Sequence, residues 1–346
     1  MSSDVLVERQ GRLGRIRLNR PKAIHALTTG MCRALLDALA AFEADDEVAV
    51  VVFDHAEGRG FCAGGDIRML AESGKGDGRE ARTFFHAEYR MNDRLFTYAK
   101  PTVAVMDGIT MGGGVGIALP CTYRIATENT RFAMPETGIG LFPDVGGGWY
   151  LSRLPGQVGK FLALTGARLD GADCLALGLA THYLQATDVP AAIAALDDST
   201  DIFATLKAHG TGAPLARIVE NRTHIDRLFA GDTVAEIMAA LEADGGDWAV
   251  KELAVLRTKS PLSMAVALRQ LKEGASMPDF ASEMRQEYAI GARVVHTHDF
   301  IEGVRALIVD KDNAPKWVPD VDPAELDAIF APMPAGQEWN PTGVQQ

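Results

Sequence analysis

Thr102-Val103-Ala104-Val105-Met106-Asp107-Gly108-Ile109-Thr110-Met111-Gly112-Gly113-Gly114-Val115-Gly116 is the stretch on which the fold turns. Residues 102–106 read as a strand covered on both faces. An Asp-Gly turn follows, then consecutive glycines, then a helix from about Gly113. The same order occurs upstream. The apolar run 48–53 leads to Phe61-Cys62-Ala63-Gly64-Gly65-Asp66-Ile67, where Asp66 is placed to cap a helix running through Glu72. Arg124-Ile125-Ala126-Thr127 reads as a further strand, and Arg15-Ile16-Arg17-Leu18 alternates as a half-buried strand does. Residues 31–43 carry Leu35, Leu39 and Phe42 at helical spacing. Strand, glycine turn and helix in repetition predict an α/β architecture.

From about Val189 the strand patterns stop. Residues 191–196, 233–242, 248–259, 263–272 and 279–295 have helical periodicity, and Ser260-Pro261 gives a helix-start signal. The expected division is a core over 1–200, a helical region over 201–320 and an irregular, proline-rich tail over 321–346.

The chain has 346 residues, 47% of them hydrophobic, enough for a sizeable core. Its net charge of −12 argues against nucleic acid as a partner but leaves room for a small anionic ligand held by a local basic patch. No apolar run reaches the roughly 20 residues that span a bilayer. Cys32, Cys62, Cys121 and Cys174 lie far apart with no C-x-x-C, a pattern that fits neither a zinc site nor a disulfide framework. A reducing compartment follows, and a cytoplasmic location is expected. The N-terminus shows no signal peptide, and acidic Asp4 and Glu8 argue against a mitochondrial presequence.

The chemistry concentrates in Met134-Pro135-Glu136-Thr137-Gly138-Ile139-Gly140-Leu141-Phe142-Pro143-Asp144-Val145-Gly146-Gly147-Gly148. Two carboxylates stand here among apolar residues, prolines and glycines, where a charge is costly unless paired or protonated. Taken singly, Glu136 reads as a structural acceptor and Asp144 as a turn or cap residue. As a pair they raise one another's proton affinity, so one is charged while the other donates. The glycine runs fit neither the dinucleotide fingerprint nor a phosphate loop. Close backbone packing accounts for any one of them; together, amides at Gly65 and Gly113 can form an oxyanion hole. Glu88 sits in a helical stretch where most glutamates are solvated. Cys62 beside the glycine turn reads first as a small buried residue, and His296 and His298 lack the partners of a metal site. Neither a metal nor a cofactor is expected.

These residues resemble a family. Phe61-Cys62-Ala63-Gly64-Gly65-Asp66-Ile67, Gly108-Ile109-Thr110-Met111-Gly112-Gly113-Gly114 and Pro135-Glu136 look like the enoyl-CoA hydratase/isomerase (crotonase) superfamily. Asn19-Arg20-Pro21-Lys22-Ala23 is similar to its N-terminal signature. The run 134–148, Asp299-Phe300-Ile301-Glu302-Gly303-Val304-Arg305-Ala306, Asp310-Lys311-Asp312 and Pro315-Lys316-Trp317 resemble its hydrolase subgroup, and the likeness runs from about residue 5 to 320.

The resemblance implies a crotonase-like spiral of ββα repeats with a helical C-terminal region. It implies a coenzyme A thioester whose carbonyl oxygen sits between the Gly65 and Gly113 amides, with coenzyme A part of the substrate. Hydratases of the superfamily use two glutamates. The first falls at Gly116, which has no side chain to act; the second falls at Glu136, and Asp144 stands where hydratases usually carry glycine. Glu88 maps to a substrate-contacting acid facing the 3-hydroxyl group. His25 stands where relatives commonly carry asparagine, and Lys22, Arg59 and Arg68 are placed to meet the CoA phosphates. The implied reaction is hydrolysis of 3-hydroxyisobutyryl-CoA, with 3-hydroxypropionyl-CoA as a second substrate, in valine catabolism. Hydration or isomerisation of another acyl-CoA is the alternative, and a homo-oligomer is the implied assembly.

Overall fold

The computed structural model describes residues 4–342. The chain opens with an antiparallel pair, β1 (Val5–Gln10) and β2 (Leu13–Leu18). Helix α1 (Thr29–Ala44) starts at Thr28, whose side chain accepts from the Met31 amide. The repeats follow. β3 (Val50–His55) and β4 (Gly60–Cys62) lead into α2 (Ile67–Gly74) and α3 (Arg79–Phe96). β5 (Thr102–Met106) and β6 (Ile109–Met111) lead into α4 (Gly113–Ala118). β7 (Tyr123–Ala126) and β8 (Arg131–Ala133) precede α5 (Gly147–Leu151), and β9 (His182–Tyr183) comes last.

Each repeat gives one strand to each of two sheets. The larger runs β1-β2-β3-β5-β7-β9 and the smaller β4-β6-β8, parallel throughout except for β1 against β2. This is the expected ββα spiral. The strands of the smaller sheet are three residues each, too short for alternation to register, so their sequence reads as part of the glycine turns. Val50 through Phe53 are at most 1% exposed, as a strand covered on both faces requires. Val50, Val52, Val103, Val105 and Ile125 pack with Ile193 and Leu196 in one core. Burying each such side chain contributes about 1.5–3 kcal/mol.

The chain forms two compact units that interleave in sequence. One takes residues 4–65, 90–133 and 168–220 and carries both sheets; the other takes 66–89, 134–167 and 221–342 and is helical. The division therefore departs from 1–200 and 201–320, because the helical insertions between strands pack with the late helices rather than with the sheets. The tail departs from expectation too. Asp322 accepts from the Ala324 amide and caps a helix, Pro323–Phe330, and Trp339 is 1% exposed. Asp-Pro at a helix start is itself a capping signal, which a proline count obscures. Residues 343–346 lie outside the described residues.

Candidate active site

The sheet-bearing unit holds the glycine pair. β4 and β6 run parallel, with Gly60 opposite Ile109 and Cys62 opposite Thr110, so the chain leaves both strands at the same edge. Gly64, at φ 115°, and Gly112, at φ 47°, make turns that favour glycine. A Cβ on Gly64 would lie 3.8 Å from the Gly113 nitrogen, so the two turns adjoin. A Cβ on Gly114 would collide with the Cys62 carbonyl, which explains the run of glycines as close backbone approach. Gly113 is the first residue of α4, so its amide has no partner within that helix. The bonds fixing the other turn, Ala63 N to Ile24 O and Leu27 N to Gly64 O, leave the Gly65 amide out. The two glycine turns that carry these amides therefore lie side by side.

The helical unit holds the acids. Glu88, Glu136 and Asp144 are 2%, 4% and 5% exposed and act on one another electrostatically. Glu136 sits in the single turn Glu136–Gly138 behind Pro135. Glu88, whose helical setting says little by itself, is on the buried face of α3, in phase with Phe84 and four residues from it. Burial first, then the neighbouring Asp144 and Glu136 carboxylates, raise the Glu88 carboxyl well above the ordinary range. Burial and Asp144 do the same to Glu136. Asp144 is raised to about 6 by burial, held down by the hydrogen bond it accepts from the Tyr89 hydroxyl at 2.8 Å. Of the three, Asp144 is the one whose charged form is steadied by a side-chain donor, the Tyr89 hydroxyl. Glu88 Oε1 and Glu136 Oε2 are buried without a partner among the described residues, as groups awaiting a ligand are.

Asp144 does not cap α5. The N-cap of that helix is Gly146, with no side-chain cap. The chain instead passes through Val145 at φ 54° and Gly146 at φ 91°. A β-branched residue in this left-handed region costs about 1–3 kcal/mol, so the surroundings must impose it. The surroundings are Gln270 and Glu287. Gln270 Nε2 donates to Pro143 O at 2.8 Å, and Glu287 accepts from the Gly146 amide at 2.8 Å and the Gly148 amide at 3.3 Å. Tyr89, Gln270 and Glu287 were not singled out by the sequence.

Gly116 is buried in α4 and offers only its carbonyl, which accepts from Asn92 Nδ2 at 2.9 Å. Asp66 caps α2 by accepting from the Met69 amide. His25 is buried at φ 57°; its Nδ1 accepts from the Arg20 amide and its Nε2 donates to the Glu57 carbonyl, both at 2.9 Å. Histidine and asparagine share a tolerance of this backbone region, which fits the exchange at this position. Lys22 and Arg59 are exposed on neighbouring loops, Gly58 lying against Pro21, whereas Arg68 donates to the Ile308 carbonyl at 3.3 Å. Cys62 donates to the His25 carbonyl at 3.2 Å as a small core residue. His296 is bonded to the Gly74 carbonyl and His298 to Asp299, and no acid, thiol and imidazole cluster fit for a metal occurs among the described residues.

A family model described as enoyl-CoA hydratase/isomerase matches residues 13–330. A Xenopus laevis protein named "3-hydroxyisobutyryl-CoA hydrolase, mitochondrial" is 44% identical over 91% of this chain and 84% of its own length. The Homo sapiens protein of the same name is 42% identical over 92% and 85%. A Mycobacterium thermoresistibile structure described as a carnitinyl-CoA dehydratase superposes with a TM-score of 0.94 at 41% identity, covering 99% of this chain and 100% of that one. A Rhodobacter sphaeroides structure described as an enoyl-CoA hydratase gives 0.90 at 42% identity, covering 98% and 100%. The cytoplasmic expectation is corrected by these findings, since the frog and human relatives are named as mitochondrial. Its grounds were weak physically. Four buried cysteines do not choose a compartment, and Glu8 belongs to β1, where it accepts from Arg17 at 2.7 Å, so its charge reports on the fold. With the spiral, the adjoining glycine turns and the family match over nearly its whole length, the chain belongs to the enoyl-CoA hydratase/isomerase family.

Proposed function

We propose that this protein is an acyl-CoA thioester hydrolase that cleaves 3-hydroxyisobutyryl-CoA, and 3-hydroxypropionyl-CoA more broadly, to the free hydroxy acid and coenzyme A in valine catabolism. The observation that carries this reading is the buried trio Glu88, Glu136 and Asp144, with Gly116 where a hydratase has its first glutamate. The names of relatives at 42–44% identity support it.

In this reading Gly65 and Gly113 N–H groups stabilise the oxyanion as the thioester carbonyl is attacked. Glu136 acts in its carboxylate form, its proton passed to Asp144, which shuttles it. On the nucleophilic route a Glu136 oxygen bonds the acyl carbon, the carbon–sulfur bond breaks, and the departing thiolate takes the proton from Asp144. Water then cleaves the resulting anhydride. On the general-base route Glu136 takes the proton from a water whose oxygen bonds the acyl carbon, the carbon–sulfur bond breaks, and the departing thiolate again takes the proton held by Asp144. Single turnover in ¹⁸O-labelled water separates the two: label in the Glu136 carboxylate marks the anhydride. Glu88 is assigned to the 3-hydroxyl group, and Lys22, Arg59 and Arg68 to the CoA phosphates. Charge reversal at these three raises KM if the assignment holds.

The test is release of free thiol from 3-hydroxyisobutyryl-CoA, 3-hydroxypropionyl-CoA and crotonyl-CoA. Release from the hydroxylated esters supports hydrolysis. Water addition to crotonyl-CoA without thiol supports the second reading, hydration, which the descriptions of the two superposed structures favour. We assign no cofactor, coenzyme A being part of the substrate, so exhaustive chelation should leave turnover intact. A homo-oligomer is the proposed assembly, and light scattering on the purified protein decides it.

A further inference from the structure

The helix Phe280–Val294 carries two acids one turn apart, Glu283 and Glu287, both 0% exposed. Neither belongs to the trio to which chemistry is assigned. Glu287 accepts from the Gly146 and Gly148 amides and from Gln270 Nε2, the last at 3.0 Å. The same Gln270 nitrogen donates to the Pro143 carbonyl, so the two residues grip the chain on both sides of Asp144. Room for Glu283 is made by glycine: a Cβ on Gly148 would collide with its Oε1, and one on Gly274 would come within 3.1 Å of its Oε2. The Glu283 carboxyl interacts with Glu287 and Gln270, and burial raises it to about 7. Glu287 thus accepts three hydrogen bonds, while burial and then the neighbouring Glu283 and Asp144 carboxylates raise its carboxyl well above the ordinary range.

We propose that Glu287, bridged to Pro143 by Gln270 and backed by Glu283, is a positioning residue that holds the strained 143–148 turn so that Asp144 meets the Tyr89 hydroxyl. Without the clamp, Val145 has no reason to keep a positive φ, and a relaxed turn carries the Asp144 carboxylate away from Tyr89. The proposal rests on the reading of Asp144 as a working acid. The charged and titratable groups that face the clamp are Asp144, Tyr89, Glu273 and Arg153.

The test is Glu287→Gln, which keeps the volume and replaces one of the clamp's two acceptor oxygens with a donor. Misplacing a reacting group by about an ångström costs on the order of 100-fold, so kcat for thiol release should fall about 10- to 100-fold with KM within two-fold. Losing the Tyr89 hydrogen bond, which lowers the Asp144 carboxyl, should also move the acid limb of kcat/KM to higher pH, which a merely structural defect would not do. Titration of the Asp144 carboxyl by ¹³C NMR should move the same way. That readout needs no turnover, so it judges the clamp even if wild-type protein releases no thiol and the functional reading fails. A folded Glu287→Gln protein with wild-type kcat and an unmoved Asp144 titration overturns the proposal. If that variant does not fold, Gln270→Met cuts the bridge to Pro143 without removing a charge: lower kcat at constant KM supports the clamp, and wild-type kcat overturns it.

Discussion

In the sheet-bearing unit the groups assigned to chemistry are backbone amides, at Gly65 and Gly113. In the helical unit they are side chains, Glu88, Glu136 and Asp144. The amides are placed by the register of β4 against β6 and carry no net charge, so they cost little when unliganded. The carboxyls are buried, and the unit pays for them in proton affinity. The shift of Asp144 from 3.8 to about 6 corresponds to about 3 kcal/mol. A site built from backbone is robust to side-chain change and sensitive to shape; a site built from buried acids is the reverse.

The largest expected effect comes from the acids. Glu136→Gln and Asp144→Asn should each lower kcat about 10³-fold or more, because each removes a group that moves a proton or forms a bond. Thiol release by either variant at near wild-type rate would break the assignment. The backbone site needs another kind of change. Gly113→Pro deletes one N–H at the first position of α4, where proline is tolerated. Gly112, at φ 47° and ψ −121°, mirrors the extended conformation favoured before proline, which glycine adopts freely. Loss of one oxyanion donor should cost about 10²–10³ in kcat with the fold retained by circular dichroism. Equal turnover would mean that the Gly113 amide holds no oxyanion.

The two regions also differ in how far they could be read. Gly65 and Gly113 were legible because strand, glycine turn and helix leave a local signature. Glu136 and Asp144 were legible because proline and glycine flank them, a setting no solvated helix face offers. Glu88, Glu283 and Glu287 were not, since an acid on a helix is ordinarily exposed. A signal was present. Glu283 and Glu287 fall in step with Phe280, Met284, Tyr288 and Ile290, all buried, so the acids lie within the apolar stripe rather than opposite it. Tyr89 gives no such signal, because a buried tyrosine looks like any other core aromatic. Its role depends on Asp144, 55 residues on, and only the folded chain joins them.

Tyr89→Phe sharpens the contrast at a smaller scale. The hydroxyl lowers the Asp144 carboxyl, so its loss should raise the acid limb of kcat/KM above about 6. With the acid correctly folded but less well held, kcat at the optimum should fall about 10-fold, the low end for a positioning contact. An acid limb that stays in place would show that Asp144 does not set it.

The smallest effect is on stability, and its sign is the informative part. Asp144 has a folded pKa above its unfolded one, so the folded state binds the extra proton. The stability this gives is fully present below about 3.8 and is lost as pH rises through about 6. Glu88 and Glu136, raised in the same direction, add to the loss at higher pH. Asp144→Asn removes a buried charge while leaving Tyr89 an acceptor. At pH 8 its Tm should exceed wild type by a few degrees, although turnover is lost. Below pH 4, where the wild-type carboxyl is already neutral, the gap should close. The glycine pair supplies the control, because Gly113→Pro removes no titrating group and its Tm difference from wild type should not vary with pH. If the Asp144→Asn gap were also flat across pH, the carboxylate would carry no buried charge in the folded protein, and the contrast between the two regions would reduce to geometry alone.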